Sequence, residues 1–172
     1  MRKIKYSKID QSCNLLSAFG SGLLESRIVV RDDTTNKIKK ICLYVSSHSG
    51  CIMGCGQCHL TANNERSFKP AHPNDYAFQI SELLGVLTRS PFYANLQNDP
   101  KNLRFNIEFM ARGEPLMNPL LTQNWENITT RFKNIFLGYG FSLEPSYFVS
   151  FFDPVFILFS HAQWILKRKA IY

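Results

Sequence analysis

A chain of 172 residues with 45% hydrophobic content is long enough to bury one sizeable core, and no internal repeat or low-complexity tract interrupts it. Lysine and arginine exceed the acids by seven, with clusters at Arg2, Lys3, Lys5 and Lys8, at Lys37, Lys39 and Lys40, and at Lys167, Arg168 and Lys169; this fits a phosphate-binding field and a set of solvated ends and turns about equally well. No signal-peptide pattern is seen, and the five cysteines are an odd number with three crowded into eight residues, so a disulfide framework is disfavoured and a reducing, cytoplasmic setting is expected.

In chain order, Gly22 to Val30 reads as a strand, Asp32 to Asn36 as a turn, and Lys40 to Ser46 as a second strand, together a β-hairpin. An N-terminal extension carrying this hairpin is expected over residues 1–40, and a core over residues 41–172.

The run Cys51-Ile52-Met53-Gly54-Cys55-Gly56-Gln57-Cys58 follows directly. Its Cys-x3-Cys-x2-Cys spacing allows a short loop to wrap one cubane cluster, giving a sulfur to each of three irons and leaving the fourth iron without a protein ligand. Zinc is an alternative holder of the same thiols, with His48 or His59 completing a Cys3His set. A third reading is a set of unliganded core thiols. Cys13 and Cys42 read as small buried or half-buried apolar residues.

A polar stretch, Thr61 to Pro73, leads to a helix starting near Asn74 or Asp75, with Ala77, Ile80, Leu84 and Leu87 on one face and Ser90-Pro91 as its stop. From Leu103 to Ala111, Leu103, Phe105, Ile107, Phe109 and Ala111 alternate with Arg104, Asn106, Glu108 and Met110, which is strand periodicity running into Gly113-Glu114-Pro115. A second helix is expected from about Leu120 to Leu137, with Leu121, Trp125, Ile128, Phe132 and Phe136 inward and Gly138 as its end signal. Strand, helix, strand, helix predicts an α/β fold with a parallel sheet, and places both the cysteine run and Gly113-Glu114 at carboxyl ends of strands. From Tyr147 onward an apolar run reads as a third strand plus a short helix. Asp153-Pro154 inside it and His161 near its end argue against a membrane span. There is no Walker loop, no GxGxxG and no serine-nucleophile elbow.

Two segments in this order, Val45-Ser46-Ser47-His48-Ser49-Gly50-Cys51 with its following cysteines and Phe109-Met110-Ala111-Arg112-Gly113-Glu114-Pro115-Leu116-Met117-Asn118, resemble the radical S-adenosylmethionine superfamily, and within it the ribosomal RNA adenine C2/C8 methyltransferases. The resemblance spans roughly Gly22 to Leu143, and Ala111 and Arg112 stand where the family has Gly-Met. It implies a partial (β/α) barrel of radical S-adenosylmethionine type, incomplete because only about three of the six βα units fit. It implies a [4Fe–4S] cluster on Cys51, Cys55 and Cys58, S-adenosylmethionine on the open iron with Gly113 and Glu114 at its methionine end, and Ser150 as a further cofactor contact. Reduction of such a cluster cleaves the sulfonium to a 5′-deoxyadenosyl radical. The implied partners are an RNA substrate, ribosomal or transfer, and an external electron donor such as flavodoxin or ferredoxin.

The family's methyl transfer uses two cysteines, one lying seven residues before the first cluster ligand and one far downstream. Here the upstream position is Tyr44, and no cysteine follows Cys58. Cys42 would share a strand face with Tyr44, but at an offset of roughly 6–7 Å. No catalytic residue is therefore assigned. The alternatives are a zinc-binding RNA-binding module and a catalytically inactive radical S-adenosylmethionine fragment.

Overall fold

A computed structural model describes residues 2–32, 39–97, 103–142 and 145–149. Six strands form one open sheet in sequence order. β1 (Arg2–Tyr6), β2 (Ser12–Phe19), β3 (Gly22–Asp32) and β4 (Lys39–Tyr44) pair antiparallel, whereas β5 (Leu103–Glu108) and β6 (Ser146–Phe148) add to β4 in parallel. The fold is thus mixed α/β, a meander that turns into a parallel sheet at β4. Strands β3, β4 and β5 correspond to the three expected strands, although β4 and β5 end at Tyr44 and Glu108 rather than at Ser46 and Ala111. β1 and β2 are additional to the expected hairpin. In β2 the adjacent Leu15 and Leu16 break the alternation, and β1 carries a lysine at every second position, so neither shows the usual pattern of a half-buried strand. The β2–β3 connection is the two-residue turn Gly20-Ser21, with Gly20 in the left-handed region at φ +59°.

The helices are α1 (His59–Ala62), α2 (Pro73–Arg89), α3 (Ala94–Gln97), α4 (Pro119–Gln123) and α5 (Trp125–Gly138). α2 starts one turn position earlier than expected because Pro73 sits in its first turn and the Asp75 carboxylate accepts from the His72 N–H at 2.8 Å. Its buried stripe is Tyr76, Ile80, Leu83, Leu84 and Leu87, with Ala77 only half-buried. The helix expected over 120–137 is two helices. The Asn124 side chain folds back to donate to the Leu120 carbonyl at 2.9 Å, and the backbone leaves helical geometry there at φ −110°, ψ 18°. All five expected inward residues, Leu121, Trp125, Ile128, Phe132 and Phe136, are buried. Among the described residues no helix is long and apolar enough to cross a membrane.

Strand parity divides the sheet into two unlike faces. Leu15, Ile28, Ile41, Leu43, Phe105 and Ile107 meet α2 and α5 in the hydrophobic core, where the Phe105 and Phe136 rings lie 5.0 Å apart, edge to face. Residues of the alternate parity, among them Asn14, Arg27, Arg31, Lys40, Cys42, Tyr44, Asn106 and Glu108, share the opposite, polar face.

One polar side chain fastens α2 to the sheet at the end of β4. Buried Gln79 accepts from the Ser46 N–H at 2.8 Å and from the Ser26 hydroxyl at 3.1 Å, and donates to the Ser46 carbonyl at 3.1 Å. Truncation strands these partners in the interior, where an unpaired polar group costs about 1–3 kcal/mol. Gln79→Ala is expected to lower the unfolding free energy in urea by about 2–3 kcal/mol with an unchanged denaturant slope.

Candidate functional site

The chain segments that leave β4 and β5 continue side by side beyond the strands. The Val45 N–H donates to the Glu108 carbonyl at 2.9 Å, the Ala111 N–H to the Val45 carbonyl at 3.2 Å, and the Ser47 N–H to the Arg112 carbonyl at 2.8 Å. This ladder places Ser47-His48 against Arg112-Gly113, so the two sequence motifs become neighbours at the carboxyl edge of the sheet.

Gly113 is required by that closeness. Its φ is +83°, and a Cβ there would lie 2.6 Å from His48 Nδ1 and 2.8 Å from Ser47 Oγ. The space beside it is therefore filled by this chain's own His48. That imidazole is 1% exposed, stacks on Phe68 at 3.9 Å between centroids, and takes a 3.0 Å hydrogen bond at Nδ1 with Ser47. Its Nε2 has no partner, and burial pulls its pKa from the ordinary 6.5 down to about 4. His59, by contrast, is exposed at the start of α1.

The cysteine loop is anchored at its start and turns on itself at its end. The Cys51 N–H donates to the Glu65 carbonyl at 3.0 Å, and the Cys58 N–H to the Cys55 carbonyl at 3.1 Å. Gly50 fits only without a side chain, since a Cβ would come within 2.4 Å of the Glu65 and Ser67 carbonyl oxygens. Cys51 and Cys58 are half-buried and Cys55 is exposed. Burial pushes the Cys51 thiol up, with Cys58, Cys55 and Glu114 adding in the same direction against a backbone hydrogen bond at Met53. Cys55, Cys58 and Glu114 thus each act electrostatically on Cys51. Among the described residues no three His, Cys, Asp or Glu side chains stand gathered as a metal-ion site.

Arg112 ties the pieces together. It is 4% exposed, ion-paired to Glu65 beyond the cysteine loop and 3.9 Å from Glu25 on β3. Its carbonyl meanwhile accepts from Ser47 and His48. Glu114 accepts from the Leu116 N–H at 3.1 Å and so opens a short 3₁₀ turn, Pro115–Met117. The fully buried Asn118 closes the segment, donating to the Ser47 and Ala71 carbonyls and the Tyr76 hydroxyl at 2.9–3.0 Å.

Below the site, on the polar face, Cys42 and Tyr44 both hydrogen-bond Glu108. Burial first, and that carboxylate second, push the Cys42 thiol up to about 11 and the Tyr44 phenol up to about 12. Cys42 is fully buried and stays protonated at neutral pH, so it offers no ready nucleophile beside Tyr44.

The structure therefore brings Cys51, Cys55, Cys58, Gly113 and Glu114 to one edge of the sheet, while Ser150 lies outside the described residues. No protein-family model matches the chain. Sequence reasoning gave no role to Glu65 or Gln79, and named Arg112 and Asn118 only as members of the second motif. The signal at Arg112 was a charged residue between a strand and a glycine, where the related motif is apolar.

Two outcomes follow from this packing. Gly113→Ala should lower the melting temperature by several degrees, as expected for a loss of about 1–3 kcal/mol from a left-handed backbone with no room for Cβ. For His48, the unfolded imidazole gains its proton near 6.5 and the folded one only near 4, so the unfolded state binds more protons between them and stability falls as pH drops through that window. His48→Gln should flatten the wild-type dependence of urea stability between pH 7 and pH 4.5 by about 1–3 kcal/mol.

Proposed function

We propose that this chain is a radical S-adenosylmethionine protein holding a [4Fe–4S] cluster on Cys51, Cys55 and Cys58 and S-adenosylmethionine beside Gly113 and Glu114. The observation that carries the reading is the ladder joining the two motifs, which sets Ser47-His48, just before the three-thiol loop, against Arg112-Gly113, just before Glu114. The donor set fits the group: three thiols in eight residues, two half-buried and one open, leave a fourth metal position for an exogenous ligand. When bound, the cluster supplies the electron that splits the sulfonium into methionine and a 5′-deoxyadenosyl radical. The protein's part is orientation. Arg112 and the Glu65 carbonyl fix the start of the cysteine loop. The Glu114 carboxylate keeps one oxygen on the Leu116 N–H, and a carboxylate accepts hydrogen bonds from an ammonium. Barrel geometry, an RNA substrate, an external electron donor and a cytoplasmic location belong to the same reading.

Anaerobic reconstitution with iron and sulfide is expected to give an oxygen-labile cluster that Cys55→Ala fails to retain. Stoichiometric zinc without iron or sulfide would overturn the assignment. S-adenosylmethionine should perturb the electron paramagnetic resonance spectrum of the reduced protein, and Glu114→Gln, which keeps the Leu116 hydrogen bond but loses the charge, should weaken that perturbation about tenfold in cofactor concentration, equivalent to about 1.4 kcal/mol.

The chemistry that follows radical formation departs from two-cysteine methyl transfer. Tyr44 stands where the related family has its upstream cysteine, and no cysteine follows Cys58. Reduced protein supplied with labelled S-adenosylmethionine and unmodified ribosomal RNA is expected to yield 5′-deoxyadenosine without C2- or C8-methyladenine by mass spectrometry. Multiple-turnover methylation would overturn this point, and absence of both products would favour a catalytically inactive fragment.

A further inference from the structure

β1 is an edge of the sheet, and among the described residues no strand pairs with its outer side. The Ser7 N–H donates to the Ser12 carbonyl at 2.9 Å, one step beyond Tyr6 and Cys13 in the β1–β2 register, so Ser7 and Ser12 are a hydrogen-bonded pair of the antiparallel ladder. Such pairs alternate. The backbone of Lys3 and Lys5 therefore turns toward β2, and the N–H and carbonyl groups of Ile4 and Tyr6 point away from the sheet. None of these four outward groups has a hydrogen-bond partner among the described residues.

The two sides of this edge differ in character. Ile4 and Tyr6 stand opposite Leu15 and Cys13 of the core, yet they are 38% and 43% exposed. The Phe92 ring, 41% exposed, lies 5.0 Å from Tyr6, whose hydroxyl is held by Ser90 Oγ at 3.1 Å. Lys3 and Lys5 are exposed on the opposite side, and neither makes an ion pair among the described residues. Glu25, the carboxylate on that side of β3, is already taken by Asn14 and Arg112.

We propose that β1 is a docking edge for an extended acidic segment of a partner protein, which adds to the sheet as a further strand. Its acidic side chains would meet Lys3 and Lys5, and its apolar ones Ile4, Tyr6 and Phe92. An added strand turns successive side chains to opposite faces, as β1 does, so the segment that fits alternates acidic and apolar residues. Backbone bonds to Ile4 and Tyr6 give affinity, and the unlike sides give specificity. Lysines on an edge strand guard it against unwanted pairing. Here they bar a second copy of this chain, because antiparallel pairing of two β1 strands about Ile4 sets Lys3 opposite Lys5, whereas a segment of opposite sign is attracted. The inference goes beyond the proposed function and depends on neither cluster nor cofactor.

The test uses the full chain as purified and a fluorescent peptide of about seven residues alternating glutamate and valine, its binding followed by anisotropy. Saturable binding is expected, weakened about tenfold by Lys3→Glu with Lys5→Glu and unchanged by Arg104→Glu, four strands away. Ile4→Pro removes an outward N–H and no β1–β2 bond, so it should abolish binding while leaving the circular dichroism spectrum intact. Methylating the backbone nitrogens of the valines, or those of the glutamates, should abolish binding in one case and spare it in the other, because alternate N–H groups of an added strand face β1. The methylated peptides decide the same point if Ile4→Pro fails to fold. The same residues in block order should bind at least tenfold more weakly. No binding of the alternating peptide, equal binding of the block peptide, or equal effects of the two methylations would overturn the proposal. By hydrogen exchange, the Ile4 and Tyr6 amides should exchange fast in the free protein and become protected when the peptide binds. Protection without peptide, or a dimer in ultracentrifugation that Ile4→Pro dissolves, would show this chain covering its own edge and would equally overturn it.

Discussion

Everything at the candidate site depends on the backbone ladder that continues after β4 and β5 have formally ended. Val45 to His48 and Glu108 to Gly113 carry the two halves of the site, and their N–H to carbonyl bonds fix one against the other without recourse to flexible side chains. Backbone pairing of this kind tolerates little displacement, because a shift of one residue would turn every side chain to the opposite face. The glycines are consequences of the same closeness: Gly113 yields its side-chain volume to His48, and Gly50 yields its own to the Glu65 and Ser67 carbonyls.

Around the ladder the protein uses buried polar groups where it could have used apolar ones. Arg112, Gln79, Asn118 and His48 are all nearly inaccessible, and the first three bond segments distant in sequence. A buried charge is costly to desolvate, and a well-packed apolar substitute is often no less stable, so the Arg112 pairs are better understood as fixing geometry than as adding stability. They hold the cysteine loop, β3 and the Gly-Glu segment in one arrangement, and leave Arg112 Nε and His48 Nε2 without partners as the residual cost.

Much of this was legible in the sequence. Period-two alternation in Leu103 to Ala111 and helical spacing in Leu121, Trp125, Ile128, Phe132 and Phe136 report burial on one side of an element, and burial is what the hydrophobic effect encodes locally. The adjacency of the two motifs was readable too, since both follow strands that end at the same edge. What escaped were features set by long-range pairing. β1 has too little apolar content to announce itself and exists because β2 supplies its hydrogen-bond partner; the break at Asn124 comes from a side chain returning to its own helix; and nothing near Glu65 or Arg112 in the sequence tells that they will meet.

The change from antiparallel to parallel pairing at β4 also orders events in time. The meander from β1 to β3 joins strands through short connections and needs only local closure, which proceeds in microseconds. Docking β5 beside β4 must first close the whole stretch 45–102, and non-local contacts of that kind form late. The cysteine loop lies within that stretch and Arg112 and Glu114 lie beyond it. Arg112 and Glu114 therefore meet the cysteine loop only once that stretch is closed.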